Sequence, residues 1–230
     1  MTEREETVDQ LVETVRRFAR EQLIPAEQEV EETDDIPDRI TDQIKELGLF
    51  GMTIPEGYDG LGLSLLEEVR VVSALTYASP VFRSYFGTSN GVGTLGITID
   101  GTEEQRRRYL PRIAKGNLIA SFCLTEPDAG SDAASLTTRA VRDGDHYVIN
   151  GTKRFTTNSP HAGIFTVFAR TAPKDAGVGG ISAFLVERDA PGLTVAKPYK
   201  KMGFRVAHTA DASSRTVACP RRRCSVGAKA

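Results

Sequence analysis

The first half of the chain carries apolar residues at intervals of three and four, the spacing that predicts amphipathic helices. The clearest run extends from Val8 to Leu23, with Thr7 and Gln10 as a capping box at its start. Pro25 is expected to bend or end this helix, or to open a following turn. Further helices are predicted over four ranges: 37–47, 64–79, 81–99 and 102–115. Residues 1–117 are therefore predicted to form an all-helical domain.

After residue 117 the apolar residues recur at intervals of two, which is typical of β-strands. Strands are predicted over six ranges: 136–141, 146–149, 152–157, 164–170, 181–187 and 193–197. The first three are separated by Asp143-Gly144 and Asn150-Gly151, which are strong signals for tight hairpins. Residues 118–210 are therefore predicted to form a compact antiparallel β-barrel or sandwich, and the fold class is α+β.

One stretch of the helical half, Gly91-Val-Gly-Thr-Leu-Gly96, matches the GxGxxG fingerprint of dinucleotide-binding proteins. That fingerprint requires a strand before it, a helix after it and an acidic residue about 20 positions later. Lys115, Gly116 and Asn117 stand at that distance, so the acid is missing. We interpret the glycines as small residues that let a buried helix pack closely.

Composition places the chain among ordinary soluble globular proteins, because 40% of its 230 residues are hydrophobic and 26% are charged. No run of about 18 apolar residues is present, so no membrane partner is expected. The acidic N-terminus lacks a hydrophobic signal core, which predicts a cytoplasmic location. A net charge of −2 gives no support to a nucleic-acid partner.

The cysteines and histidines predict neither a disulfide framework nor a metal site. Cys219 and Cys224 lack CxxC spacing, and the histidines are scattered along the chain. Cys123 lies in an apolar run and is predicted to be a small core residue.

The stretch Ala120-Ser-Phe-Cys-Leu-Thr-Glu-Pro-Asp-Ala-Gly-Ser-Asp132 joins an apolar run to a polar turn. Gly130 tolerates positive φ, so the turn can bring backbone N–H groups close to an anion. Thr125 and Ser131 add hydroxyl groups. Such a stretch suits a ligand with a flat ring system at one end and phosphates at the other, although a strand that runs into an ordinary turn has the same spacing.

Part of this stretch, Cys123-Leu-Thr-Glu-Pro-Asp-Ala-Gly-Ser-Asp132, resembles the signature of the acyl-CoA dehydrogenases, flavoenzymes that desaturate acyl-CoA thioesters. Gly101-Thr-Glu-Glu-Gln-Arg-Arg-Arg-Tyr-Leu-Pro111 and Asn150-Gly-Thr-Lys-Arg-Phe-Thr-Thr-Asn158 resemble two further stretches of that family, in the same order. The resemblance extends from the first helix to about Thr209. It implies a helical domain and a small antiparallel β-barrel, which in the family precede a C-terminal four-helix bundle.

The resemblance implies FAD as the cofactor. The flavin-binding residues that it implies are Phe122, Cys123, Leu124, Thr125, Ser131, Phe155, Thr156 and Thr157. Thr125 would form a hydrogen bond near flavin N5, and Ser131 would lie at the pyrophosphate and near the CoA arm of the substrate. Many relatives carry tryptophan at the position of Phe155, and phenylalanine keeps the aromatic face. A core aromatic of the barrel is a compatible role for Phe155.

The resemblance also implies a reaction of fatty-acid β-oxidation. A carboxylate removes the α-proton of an acyl-CoA thioester while the β-hydrogen leaves as hydride to flavin N5. Electron-transferring flavoprotein is the implied electron acceptor, and full-length relatives are homo-oligomers. No catalytic residue is assigned, because the family's glutamate base belongs to the C-terminal bundle. Glu126 is a poor substitute, since Pro127 and the turn favour a structural role.

The last residues, 211–230, do not continue the family pattern. They carry five basic residues and one acid, against a net charge of −2 for the whole chain. We expect an aberrant, disordered basic tail, produced by a reading-frame change or truncation, with a natural basic tail as the alternative. The functional hypothesis is an FAD-dependent acyl-CoA dehydrogenase that lacks its bundle. The alternative is an inactive remnant, or a flavin- and acyl-CoA-binding module without the catalytic base.

Overall fold

A computed structural model of the chain describes residues 2–220 and 225–226. The helices in that part are α1 (Glu3–Phe18), α2 (Ile24–Thr33), α3 (Asp38–Glu46), α4 (Leu65–Leu75), α5 (Val81–Asn90), α6 (Val92–Asp100) and α7 (Glu103–Ala114). The strands are β1 (Ala120–Cys123), β2 (Arg139–Asp143), β3 (His146–Thr157), β4 (Ile164–Arg170), β5 (Ile181–Glu187), β6 (Leu193–Val195), β7 (Thr209–Pro220) and β8 (Ser225–Val226). None of the helices within the described ranges has both the length and the apolar character needed to cross a membrane.

Helix α1 begins earlier than its apolar pattern predicts. Thr2 and Glu5 form the capping box, in which the Glu5 N–H donates to Thr2 Oγ1 at 3.2 Å and the Thr2 N–H donates to Glu5 Oε2 at 2.7 Å. The predicted box at Thr7 is wrong, because Thr7 lies inside the helix. A π-helical turn, Ala19–Leu23, then joins α1 to α2. Pro25 stands in the first turn of α2, directly after the π-helical turn, so it does not end the helical run.

The predicted helix over 81–99 is divided at Gly91 into α5 and α6. The glycine-rich stretch therefore follows a helix and not a strand, which supports its interpretation as a packing motif. A Cβ atom on Gly93 would lie 3.0 Å from the Ala120 Cβ of β1 and 2.8 Å from the Thr88 carbonyl oxygen. The glycine thus allows α6 to approach the strand that opens the sheet.

Strand β3 is continuous through Asn150 and Gly151, so the hairpin predicted there is wrong. The hairpin at Asp143-Gly144 is confirmed, since Asp143 pairs with His146 across a tight turn. At Asn150 the register between β3 and β7 shifts, and the Asn150 side chain accepts a hydrogen bond of 2.8 Å from the Thr216 N–H. The residues that would make a turn in isolation instead form an irregularity in a long strand pair.

The described strands form one curled sheet in the order β6-β7-β3-β2-β4-β5-β8, and β1 pairs with β4. Most neighbours are antiparallel, as predicted, but β1 and β4 are parallel, and so is a single pairing between β2 and β4. The sheet is therefore mixed. The α+β class, with a helical region followed by this sheet, is confirmed.

Residues 211–220 are not the disordered tail expected from the sequence, because they form most of β7. This strand pairs with β3 on one side and with β6 on the other. Its buried positions are Ala210, Ala212, Ser214, Val217 and Cys219, and small or polar residues among them conceal the alternation. Cys219 is disulfide-bonded, which the sequence did not predict. The rest of the expected tail, residues 221–224 and 227–230, lies outside the described residues.

The helical region and the sheet share contacts that fix their relative position. Asn158, directly after β3, donates from Nδ2 to the Ser84 and Tyr85 carbonyl oxygens of α5 at 3.0 and 2.9 Å. Val206, between β6 and β7, is buried in the apolar core of the helices. The next residue toward the N-terminus, Arg205, donates from Nε to Asp34 at 2.5 Å.

Candidate functional site

The two stretches predicted to share a site lie side by side in the structure. Strand β1 ends in a tight turn, in which the Glu126 N–H donates to the Ala129 carbonyl oxygen at 2.8 Å. Just before this turn, the Thr125 carbonyl oxygen accepts a hydrogen bond of 2.8 Å from the Arg154 N–H. The end of β1 is thereby tied to the second half of β3, which carries Phe155 and the two threonines that follow it.

Glu126 forms a buried ion pair with Lys153, and both side chains are 3% exposed. Lys153 Nζ donates to Glu126 Oε1 at 2.8 Å and to the Leu124 carbonyl oxygen at 3.0 Å. The carboxylate also accepts from the Thr137 N–H and hydroxyl at 2.6 and 2.7 Å, and from the Thr138 N–H at 2.9 Å.

These contacts fix the charge of the carboxylate. Burial alone would raise the pKa of Glu126, but the hydrogen bonds from Lys153, Thr138 and Thr137 outweigh burial and lower it to about 2. Burial lowers the pKa of Lys153, and its bond to Glu126 opposes that effect. An ionised, fully bonded carboxylate away from solvent is a structural anchor, in agreement with the role expected for Glu126.

Two of the predicted ligand residues turn their side chains into the core. Cys123 is 1% exposed and Thr156 is fully buried, and the Cys123 Sγ lies 3.7 Å from Thr156 Oγ1. Burial raises the pKa of the Cys123 thiol to about 12. A ligand on the surface of the sheet would meet only the backbone of these residues.

The other predicted residues of these strands remain within reach of a ligand. Phe122, Leu124, Thr125 and Thr157 are half-buried. The Phe122 ring packs on Phe168 with centroids 5.0 Å apart.

Phe155 is the most unusual residue of the site. The residue is 59% exposed, and its backbone has φ +57°, a left-handed conformation that is rare for a bulky residue. Lys153 pairs with Ala212 and Thr156 with Ala210, so two residues of β3 stand opposite one of β7. This β-bulge turns the Phe155 ring out of the sheet, as bulges near functional sites often do. The ring lies 5.6 Å from that of Tyr199.

The polar turn differs from its prediction at Gly130. This glycine does not have positive φ, and a Cβ atom placed on it would meet no neighbouring atom. Gly130 is therefore not required by the conformation of the turn. Ser131, the predicted contact for pyrophosphate, is exposed beside it.

Sequence reasoning missed Lys153. The residue lies 27 positions from Glu126, so no local spacing relates the two. Its inward-facing position on β3, between the less buried Thr152 and Arg154, is visible only in the structure. A lysine at such a position needs a buried partner.

Two protein-family models match the chain, one over the helical region and one over the sheet. Residues 5–117 match the family model for the acyl-CoA dehydrogenase N-terminal domain, and residues 121–217 match the model for the acyl-CoA dehydrogenase middle domain. The second match includes most of β7.

Individual relatives agree with the family models. The chain is 39% identical over 197 residues to an acyl-CoA dehydrogenase of Bacillus subtilis. The aligned region covers 86% of this chain and 52% of the relative. It is 38% identical over 215 residues to the human very long-chain specific acyl-CoA dehydrogenase. That aligned region covers 91% of this chain and 32% of the relative. The chain thus spans about half, or less, of the length of these relatives.

Solved structures give the same result. A probable acyl-CoA dehydrogenase from Mycobacterium abscessus superposes with a TM-score of 0.89 at 32% identity, over all of this chain and 60% of the other. A glutaryl-coenzyme A dehydrogenase in complex with glutaryl-CoA superposes with a TM-score of 0.90 at 27% identity, over 99% of this chain and 57% of the other.

Proposed function

The chain belongs to the acyl-CoA dehydrogenase family, and from this premise we propose that it binds FAD and takes part in the α,β-desaturation of an acyl-CoA thioester. The observation that carries the proposal is Phe155, an exposed aromatic ring held in a strained backbone conformation beside the family's signature turn. Strain of this kind persists where the surrounding structure imposes it, and it is concentrated at functional sites.

The residues present fit a flavin ring. Phe155 offers an exposed aromatic face, on which a flat ring system can stack. The hydroxyls of Thr125 and Thr157 lie on half-buried residues at the ends of the two adjoining stretches, where they can donate to ring heteroatoms. Cys123 and Thr156 support these positions from the core side, as their burial requires.

FAD, when bound, supplies the hydride acceptor for the desaturation. The chain's own residues would hold the flavin ring and exclude water from one of its faces. Ser131, exposed at the polar turn, is our candidate for the pyrophosphate and for the CoA arm of the substrate. Electron-transferring flavoprotein is the electron acceptor that the family relationship suggests.

We assign no general base among the described residues. Glu126, the carboxylate of the signature turn, is ionised and buried, and its oxygens are occupied by hydrogen bonds. This observation favours a second candidate function, a flavin- and acyl-CoA-binding unit that performs no redox step on its own.

The visible absorbance of the purified chain, titrated with FAD and then with an acyl-CoA under anaerobic conditions, tests both proposals. Bound flavin that bleaches supports desaturation. Bound flavin that stays oxidised supports the binding unit, and a failure to bind FAD refutes both.

A matched pair of variants tests the site itself. Phe155→Ala should weaken FAD binding about tenfold, because it removes an aromatic contact. Phe204→Ala is the control, since Phe204 is also exposed and also has positive φ (+53°). It lines a different cavity, beside α2. Equal affinities of the two variants would contradict the assignment of Phe155.

A further inference from the structure

The buried pair of Glu126 and Lys153 connects the two stretches that form the proposed site. Lys153 Nζ bonds both the Glu126 carboxylate and the Leu124 carbonyl oxygen, at 2.8 and 3.0 Å. The next residue of β3, Arg154, donates its N–H to the Thr125 carbonyl oxygen at 2.8 Å. Three consecutive residues that directly follow β1 are therefore held by two consecutive residues of β3.

This arrangement fixes the two residues that the site depends on most. Thr125 stands between Leu124 and Glu126, both of which bond to Lys153. Phe155 lies in the bulge whose first flanking pair is Lys153 with Ala212. Movement of Lys153 would thus displace the threonine on one stretch and the aromatic ring on the other.

Stability alone does not account for a buried ion pair. Removing two charges from water costs several kcal/mol per ion, and well-packed apolar residues of similar size are often as stabilising or more so. An apolar pair, however, could not bond the Leu124 carbonyl or the N–H groups of Thr137 and Thr138, which Glu126 and Lys153 satisfy. The pair also supplies direction, because its hydrogen bonds fix two backbone segments, at Leu124 and at Thr137–Thr138, relative to β3.

We propose that the Glu126–Lys153 pair is a positioning device, which holds Thr125 and Phe155 in the geometry that the flavin ring requires. The inference rests on the proposed FAD site, and it adds two residues that touch neither flavin nor substrate. It predicts that a variant without the pair, even when it folds, loses flavin affinity and the fixed orientation of the Phe155 ring.

The principal variant is the double substitution Glu126→Gln with Lys153→Met, which removes both charges and keeps the side-chain volumes. Its control is Arg108→Met with Glu187→Gln, which removes a 2.7 Å ion pair between α7 and β5, outside the proposed site. We expect the double variant at 126 and 153 to weaken FAD binding about tenfold and to alter the visible circular dichroism of the bound flavin. The control should change neither.

Hydrogen exchange provides a readout that needs no cofactor. In the double variant at 126 and 153, the Arg154 amide should exchange about tenfold faster than in the wild type, because its partner carbonyl at Thr125 is no longer held. The Val167 amide in the β4–β5 pairing should be unaffected, which separates local loosening from global unfolding.

Each outcome decides one of the two proposals. Unchanged exchange at Arg154 together with unchanged FAD affinity would overturn the positioning role. A wild-type chain that binds no FAD would refute the proposed function, and exchange at Arg154 would then test the positioning role by itself. If the double variant does not fold, Glu126→Gln alone replaces it, because it keeps the shape and one acceptor. Identical exchange and affinity in that single variant would also overturn the role.

Discussion

The left-handed backbone of Phe155 predicts that glycine is more stabilising than alanine at this position, the reverse of their usual order in a strand. In an ordinary strand, alanine is more stable than glycine by about 0.5–1 kcal/mol, because glycine loses more backbone freedom on folding. At φ +57°, any residue with a Cβ atom meets steric strain of about 1–2 kcal/mol. Phe155→Gly should therefore unfold at a higher urea concentration than Phe155→Ala, although both lose the same ring.

A second pair of variants isolates the magnitude. Tyr147 lies on the same strand in a regular pairing with Cys219, does not have positive φ, and packs its ring on Phe184. There, alanine should exceed glycine by the ordinary amount. At each position, the preference for alanine is the unfolding free energy of the alanine variant minus that of the glycine variant. Subtracting the preference at 155 from the preference at 147 cancels the entropic contribution that both share. The remainder is the left-handed strain, about 1–2 kcal/mol.

Urea unfolding measures the four free energies, with similar m-values as the check that the unfolded states are comparable. The reasoning would be refuted if alanine were as strongly preferred over glycine at 155 as it is at 147. Both variants at 155 should also bind FAD more weakly than the wild type. A glycine variant that gained stability relative to alanine and still lost affinity would separate the strain from the function that it serves.

Three further predictions concern Glu126, Gly93 and Cys123. The folded pKa of Glu126 is lowered from 4.5 to about 2, so its contribution to stability is present above pH 4.5 and is lost as the pH falls toward 2. Between pH 4.5 and 2, the wild type should therefore lose up to about 3 kcal/mol more unfolding free energy than Glu126→Gln does. An equal loss in the two proteins would contradict the ion pair. Gly93→Ala should lower the free energy of unfolding by about 1–3 kcal/mol, because its Cβ meets Ala120 and the α5 backbone. Gly179→Ala is the control, since a Cβ there meets no atom, and thermal unfolding should show almost no change in its stability. The Cys123 thiol, with its pKa raised to about 12 by burial, should resist alkylation at about pH 8 until urea unfolds the chain; native-state labelling seen by mass spectrometry would place the thiol in contact with solvent.

Patterns that depend on neighbouring residues were predicted well. Residues 164–170 and 181–187 form the strands β4 and β5 as expected, because each is a short apolar run between turn residues. Asn150-Gly151 failed for the opposite reason. A dipeptide that favours a turn was overridden by β7, a partner strand that the local sequence cannot reveal. Strand β7 was itself missed because Ala212 and Ser214, buried on one face, are too small to give a hydrophobic alternation.

The candidate site was predicted from motif resemblance and not from physical patterns. The resemblance named two stretches that the structure brings together, but it did not reveal which side chains face outward. Cys123 is buried on β1, and on β3 Thr156 is buried while Phe155 is exposed, because the bulge against β7 sets the direction of these two β3 side chains. Lys153 was missed because a buried ion pair joins residues that are distant in sequence.

The position of β7 also has consequences for how the protein is made. Thr152 of β3 bonds Ser213 of β7, 61 residues later, so β3 leaves the ribosome long before its partner. Val206, which completes the helical core, is also translated late. Neither the helices nor the sheet can finish folding until this part of the chain has emerged, and until then β3 presents an unpaired edge. We therefore expect nascent chains that end before residue 209 to depend on chaperones, and longer nascent chains to gain protease resistance in the helices and the sheet together.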